Sequence, residues 1–401
     1  MRKLNFIDLF AGAGGLSEGF VHAGFEPLAH IEMDKYACDT LRTRAAFHWL
    51  KSQNKLDVYK KYLYNKQEKE DGSKLWKEVP NEIIDTVIQK AIGEETVNEI
   101  FEKIDKLKGK KEIDIIVGGP PCQAYSVIGR ARMKEKVLKD PRNDLYKYYV
   151  EFLKRYKPEM FVFENVLGIR SAKNGEPFKD LQRLVDEAGY YMKDDILTAS
   201  EHGVLQKRQR VIIVGWKKGL NFKYPDLEKE ENPYRVLSDL FSDLPERQQG
   251  EGVLTEIVKY KTPATKYLKQ SKLRNEFDFT TQHIARPHNS IDLEIYRRAI
   301  KLWLEKGERL NYANLPPELQ KHDNKQSFLN RFQVVNHDGC CHTVVAHIAM
   351  DGHYYIYPSL KQIRSITIRE KARMQSFSDD YYFEGSRSAA FRQIGNNKLA
   401  A

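Results

Sequence analysis

One unit recurs along the chain and limits what it can fold into: a short apolar run that ends in glycine or in a polar side chain, followed by helical periodicity. Residues 4–10 (LNFIDLF) run into AGAGG at 11–15 and then into a helical pattern over 16–23. Residues 27–31 end in Glu32, residues 115–117 in GGPPC, and residues 160–163 in Glu164 and Asn165. Runs this short read as buried strands, and strands that alternate with helices build an open α/β sheet. In such sheets ligands bind beyond the carboxyl ends of the strands, where each of these polar groups is delivered.

The first unit is a nucleotide-type cradle. Glycines let a ligand approach the backbone while the free amides of the helix N-terminus face it. The pattern is GxGG, and no Gly-Lys-Ser/Thr follows, which argues against a phosphate-gripping P-loop. Glu32 stands about 20 residues past the glycines, where an acid in a doubly wound fold accepts hydrogen bonds from ribose hydroxyls.

The stretch IIVGGPPCQAYS carries the chain's most pointed chemical group, Cys122, at the tip of a loop stiffened by Pro120 and Pro121. The segment after it, up to Asn143, holds Arg130, Arg132, Lys134, Lys136 and Lys139. It is too charged to bury and reads as a mobile loop that closes over an anionic substrate. Farther on, Arg208 and Arg210 alternate in QKRQR ahead of the strand VIIVGW. On an extended chain they point the same way, as recognition of phosphates or of an acidic side chain requires.

Residues 36–111 are charged and mostly helical in pattern, with Ile83, Ile84, Val87, Ile88, Ala91 and Ile92 at amphipathic spacing. Within them the Lys- and Tyr-rich run 51–77 reads as a solvated insertion. From residue 217 the strand–helix alternation stops, which places a second domain over 217–330 with a helix near 292–305. Short strands follow over 331–357 and a helix over 367–375. With 401 residues the chain is long enough for two cores. Lys and Arg total 66 against 56 acidic residues, a net charge of +10, which suits a polyanionic partner such as nucleic acid. No apolar run approaches the roughly 20 residues that span a bilayer, so an intracellular, cytoplasmic protein is expected. The four cysteines, Cys38, Cys122, Cys340 and Cys341, show no CxxC spacing, so neither a zinc cluster nor a disulfide framework is indicated.

Taken in order, FIDLFAGAGG, GGPPCQAYS, FENV, QKRQR and QIGN resemble the signature blocks of the cytosine-5 DNA methyltransferase family, across nearly the whole chain. The resemblance implies a Rossmann-like, S-adenosylmethionine-dependent catalytic domain with a smaller target-recognition domain inserted. The expected division is a catalytic and cofactor-binding domain at 1–216, target recognition at 217–330, the rest of the small domain and a hinge at 331–385, and a return to the catalytic domain at 386–401. Cys122 then matches the nucleophile, Glu164 the acid acting at cytosine N3, and Arg208 and Arg210 the arginines that hold the cytosine O2 and that acid. Phe10, Gly12, Gly14, Gly15, Glu32, Met33, Pro121 and Asn396 match the cofactor-binding positions, and Gln123, Ser126, Asn165 and Arg331 are expected to meet the substrate. The aspartate that contacts the adenine amino group in the family has no match in the expanded region 45–111.

Those residue types suit the chemistry the resemblance implies. Cytosine C5 is a poor nucleophile until a thiolate adds to C6, and a cysteine is already a few per cent ionised near neutrality. The base must leave the helical stack at a cost of a few kcal/mol, which a basic loop and a basic second domain can offset through phosphate contacts. The implied partners are double-stranded DNA and a restriction endonuclease acting on the same site, for a monomeric prokaryotic enzyme. Family members continue with another helix after QIGN, so the short end at Ala401 reads as a truncation or as a split enzyme completed by a second polypeptide. An RNA cytosine-5 methyltransferase shares the blocks, but its recognition segment is short where 217–330 is long. A non-catalytic DNA-binding subunit would not need Cys122, Glu164 and both arginines.

Overall fold

A computed structural model describes residues 2–121, 141–274, 276–321 and 326–396. Its centre is a seven-stranded sheet in the order β3-β2-β1-β4-β5-β8-β6. Strands β1 (Asn5–Leu9), β2 (Glu26–Glu32), β3 (Val87–Gln89), β4 (Ile115–Gly118) and β5 (Met160–Asn165) are parallel neighbours. On the far side β8 (Gln209–Lys217) runs antiparallel to both β5 and β6 (Tyr190–Thr198). The two-residue β7 (Gln206–Lys207) belongs to a separate small sheet. The parallel inner strands are largely apolar because helices cover both faces, whereas the edge strand β6 is more polar and, beyond Tyr190, exposed or half-buried. Ile7, Leu9, Ile31, Ile116, Phe161, Phe163, Val211 and Ile213 form one continuous core with residues of the covering helices.

The chain leaves β1 toward β2 on one side and returns to β4 on the other. The direction of winding therefore switches between β1 and β4, which opens a crevice at their carboxyl ends. Helix α1 (Gly15–His22) follows β1, and α2 (Lys35–Ser52) follows β2 with the Asp34 side chain accepting from Ala37 N at 2.9 Å as its N-cap. After α3 (Leu56–Glu68), α4 (Ser73–Glu78) and α5 (Asn81–Ile84) comes β3, and α6 (Val97–Lys108) leads to β4. Helices α7 (Leu145–Tyr156) and α8 (Glu176–Glu187) flank β5, the latter with Pro177 in its first turn.

Two expectations are corrected here. Val87 and Ile88 do not continue an amphipathic helix but form β3, because pairing with His30 and Ile31 of β2 supplies the hydrogen bonds that a three-residue segment cannot supply itself. The run 51–77 is not a solvated insertion. Tyr59, Tyr62 and Leu63 lie on one face of α3 and are buried with Phe47, Leu75, Phe277, Phe279 and Tyr382. Their charged neighbours face outward, so a helix dense in lysine still buries an aromatic stripe.

The region from 217 onward has little regular structure: β9 (Ile257–Lys259) pairs with β10 (Phe279–Thr281), and α9 (Lys266–Gln270) and α10 (Ser290–Lys306) are its first two α-helices among the described residues. Strand β11 (Cys341–His342) runs beside β7. Helix α11 (Ile368–Met374) begins with a capping box between Thr367 and Glu370 and packs on α12 (Arg387–Asn396). Segments assigned from sequence to the small domain and hinge also share a core with the catalytic segments. Ala13 and Leu205 pack with Val335, Ile366, Phe377, Tyr381 and Ile394.

Candidate active site

The site lies along the carboxyl ends of β1, β2, β4 and β5. After Leu9 the backbone enters the left-handed region at Phe10 (φ 57°), Gly12 (φ 59°) and Gly14 (φ 85°) before α1 begins at Gly15. Gly14 has no alternative, since a Cβ there would lie 2.8 Å from Leu41 Cδ2 as well as requiring that φ. Glu32, at the end of β2, braces this turn: one carboxylate oxygen accepts from Gly12 N at 2.8 Å, and the other from Met33 N at 2.8 Å and Asp34 N at 2.9 Å. Met33 beside it is 67% exposed, an apolar surface held open at the sheet edge. Gln89, the register partner of Glu32, ends β3 next door. Reading β3 as helix hid this position, and no aspartate stands at the strand's end.

Strand β4 delivers the Gly-Gly-Pro-Pro turn against β5. A Cβ on Gly119 would sit 2.2 Å from the Glu164 carbonyl oxygen and 3.1 Å from its Oε2, so only glycine lets the turn pass this close to the carboxylate. Asn165 is buried. Its amide donates to Pro120 O at 3.4 Å and its Oδ1 accepts from Val166 N at 2.9 Å. In this position Asn165 holds the turn. Pro121 is exposed at the tip. Cys122, Gln123, Ser126 and the basic loop up to residue 140 lie outside the described residues.

Glu164 pairs with Arg210, whose Nε is 2.7 Å from Oε1, with both side chains largely shielded from solvent. The antiparallel register that sets Glu164 opposite Ile212 brings the start of β8 to the end of β5. Arg208 does not share this partner. It falls between β7 and β8, is buried, and donates from Nη1 to Val344 O at 3.1 Å. The two guanidiniums thus meet different partners, and the extended chain is interrupted at Arg208. Neighbouring Gln206 is buried and spans two segments, donating to Met374 O at 2.6 Å and accepting from Val344 N at 2.8 Å. The QKRQR block thus serves both the site and the seam with the region beyond 340.

The remaining sequence candidates lie elsewhere. Arg331 folds back on its own loop, donating to Phe328 O at 3.0 Å and Ser327 O at 2.9 Å while stacking 4.1 Å from the Tyr312 ring. Asn396 is exposed at the end of α12. In the same block Gln393 joins α12 to α2 by accepting from Thr40 Oγ1 at 2.7 Å.

The described cysteines are poor nucleophiles. Burial pushes the Cys38 thiol up to about 12, raises Cys340, and holds Cys341 well above the ordinary thiol range. Cys38 and Cys341 also donate to the carbonyls of Glu32 and Leu205.

Crevice, glycine turn and paired acid and arginine at the carboxyl ends of the strands are those of a Rossmann-like enzyme fold. The C-5 cytosine-specific DNA methylase family model matches residues 4–72 and 76–397, and the chain belongs to that family. It is 38% identical to the type II methyltransferase M.Bpa9945I of Bacillus paralicheniformis, over 97% of this chain and 94% of the relative. It is 29% identical to the type II methyltransferase M.XorII of Xanthomonas oryzae pv. oryzae, over 98% of this chain and 80% of the relative. Among solved structures, the fold matches Entamoeba histolytica methyltransferase EhMeth with a TM-score of 0.53 at 15% identity, over 100% of this chain and 95% of that one.

Proposed function

We propose that the chain transfers a methyl group from S-adenosylmethionine to C5 of a cytosine rotated out of duplex DNA, as the modification enzyme of a restriction-modification pair. The observation that carries this reading is the Glu164–Arg210 pair, set against a turn whose Gly119 admits no side chain and whose next residues lead to Cys122. Cys122 Sγ forms a bond to C6 as its thiolate, which makes C5 enamine-like. Glu164 hydrogen-bonds or protonates N3 as charge builds on the ring, and Arg210 fixes the carboxylate in the orientation this needs. Arg208 is assigned to the cytosine O2, and Gln123, Ser126 and Arg331 to the DNA. The C5 proton then passes to a base, water being the simplest, and elimination breaks the C6–S bond.

The cofactor's part is to supply an electrophilic methyl group on a sulfonium. The cradle suits it. Phe10, Gly12, Gly14 and Gly15 leave the turn without bulk. Glu32 has acceptor capacity for ribose hydroxyls beyond the amides it already holds. Met33 offers an apolar face for adenine. Pro121 and Asn396 complete the set, with the target read mainly by residues 217–330 and the enzyme acting as a cytoplasmic monomer. A duplex carrying 5-fluorocytosine in the target word blocks loss of the C5 proton, so incubation with the methyl donor should leave a permanent cross-link at Cys122 by mass spectrometry. Folded protein that methylates plasmid DNA, read by bisulfite sequencing, yet never forms the cross-link would overturn the covalent route. Cross-linking to a tRNA in place of DNA would instead favour an RNA-modifying enzyme.

A further inference from the structure

We propose that His288, Asp292 and His353 form a binding site for a divalent cation of the zinc class, fastening the start of α10 to the loop that carries His353. One ligand atom from each of the three lies within 4.8 Å of the others, and all three side chains are half-buried. They come from two segments: His288 and Asp292 flank the first turn of α10, and His353 follows Asp351-Gly352 more than sixty residues on. Two imidazoles and a carboxylate are the donor set zinc favours when three protein groups leave a coordination position for water.

Neighbouring hydroxyls and an amide hold these side chains in place. The Ser365 hydroxyl lies 3.0 Å from His288 Nε2, and the Tyr296 hydroxyl lies 2.8 Å from His353 Nδ1 and 3.5 Å from His288 Nδ1. Asn289 caps α10 by accepting from Asp292 N at 2.9 Å and also steadies the carboxylate, donating to Asp292 Oδ2 at 2.7 Å. Asp351 accepts from His353 N at 3.0 Å and adds negative charge to the loop. Gly352 lets the loop approach: at φ +82°, a Cβ would meet Ser365 Oγ at 2.8 Å and lie 4.0 Å from His288 Cε1. The imidazole centroids are 6.3 Å apart. Tetrahedral bonds of about 2.1 Å put ligand atoms about 3.4 Å apart, so small side-chain rotations would close the site. Arg286 and Arg387 oppose a cation here and Asp351 favours one, while the Arg286 guanidinium is tied to the carbonyls of Met350 and Ala349.

The test uses tag-free full-length protein stripped with a chelator and titrated with zinc sulfate by calorimetry, with cobalt(II) absorption as a second readout. The expected result is one equivalent bound per chain, a rise in thermal midpoint with zinc, and a d–d band for a nitrogen–oxygen site. Asp292→Asn and His353→Gln should each weaken zinc binding by at least about tenfold while their metal-free midpoints stay near wild type. Asp292→Asn, which retains the cap geometry, carries the test if His353→Gln fails to fold. Absence of stoichiometric binding, or undiminished binding in Asp292→Asn, would reduce the cluster to a hydrogen-bonded knot and overturn the proposal.

Discussion

The sheet and the segment from Asp243 to Glu384 are held together by different forces. The sheet's main core cluster is aliphatic and aromatic, so area removed from water dominates its stability, although the strands also bury Asp8, His30 and Asn165. The other region buries charge. Arg373 has no exposed side-chain surface and grips Asp243 at 2.6 Å, with Asp379 on its other amino group at 2.5 Å. Arg364 pairs with Glu370 through two 2.8 Å contacts, and Arg369 donates to the carbonyls of Thr281, Ser378 and Tyr381. The junction between the regions is ionic as well: Glu18 and Arg44, from α1 and α2, form a buried pair, and Arg44 reaches Asp380 at 2.8 Å. Burial alone would raise the Glu18 carboxyl, but Arg44 and His48 beside it hold it well below the usual range. Irregular backbone with few ladder hydrogen bonds relies on guanidiniums that each satisfy several carbonyls and carboxylates at once.

The sharpest way to break this contrast is Arg373→Met. It removes one partner from two buried carboxylates, and the expected loss is about 3–5 kcal/mol of unfolding free energy. Chemical denaturation of this variant should show the segment beyond 243 melting before the sheet. A smaller effect, and of the opposite kind, is expected for Arg210→Ala. Its partner Glu164 keeps a small exposed fraction, so the thermal midpoint should drop by less than in Arg373→Met while turnover falls by about 10²–10³. Single-turnover methylation and calorimetry on the same preparation separate the two. An Arg210→Ala enzyme of normal rate would remove Glu164 orientation from the mechanism.

The contrast also explains what could be read before the structure. Strands β1, β2, β4 and β5 declare themselves locally: an apolar run buried on both faces needs no knowledge of its neighbours, and Glu32 and Glu164 follow from where such runs end. Position β3 does not, because three residues become a strand only beside β2, and Val87-Ile88 fits a helical stripe equally well. The buried face of α3 was legible in the spacing of Tyr59, Tyr62 and Leu63, but its partners Phe277 and Phe279 lie some two hundred residues away, and the lysines between suggested solvent. Arg208 and Arg210 look equivalent in sequence. They differ because one faces β5 and the other a loop near Val344, a distinction only tertiary structure makes.

Acid should sharpen the comparison further. His283 is buried between Pro245 O at 2.8 Å and the Thr367 hydroxyl at 3.0 Å, and burial pushes its pKa down from 6.5 to about 4. The Pro245 carbonyl can only accept, so the neutral ring carries its proton on Nε2 and its Nδ1 accepts from the Thr367 hydroxyl, which a second proton on the ring would disrupt. Above pH 6.5 the ring is neutral folded or unfolded. Between 6.5 and 4 only the unfolded chain takes up the proton, so stability is lost as pH falls through that window, by about 3 kcal/mol for this residue. His342, likewise held at about 4 by burial, adds to the slope. Urea midpoints measured from pH 7.5 to 4.5 should fall steeply for the wild type and less steeply for His283→Gln. Equal slopes would mean that the ring is already charged in the folded state.

The smallest effect probes the α3 clamp. The Tyr62 hydroxyl donates to Glu384 Oε1 at 2.7 Å, an atom that also accepts from Thr43 at 2.9 Å, while Lys66 holds the other carboxylate oxygen at 2.8 Å. Tyr62→Phe keeps the ring against Trp76 and deletes one of several bonds to a carboxylate that stays satisfied. The expected loss is therefore about 1 kcal/mol, well short of what an abandoned buried charge would give. Lys66→Met in the same position removes the only cation among these donors, and its cost should exceed that of Tyr62→Phe. If the two variants matched, the clamp would be held by the packing of α3 on Phe277 and Phe279, and the charge at Glu384 would be incidental to it.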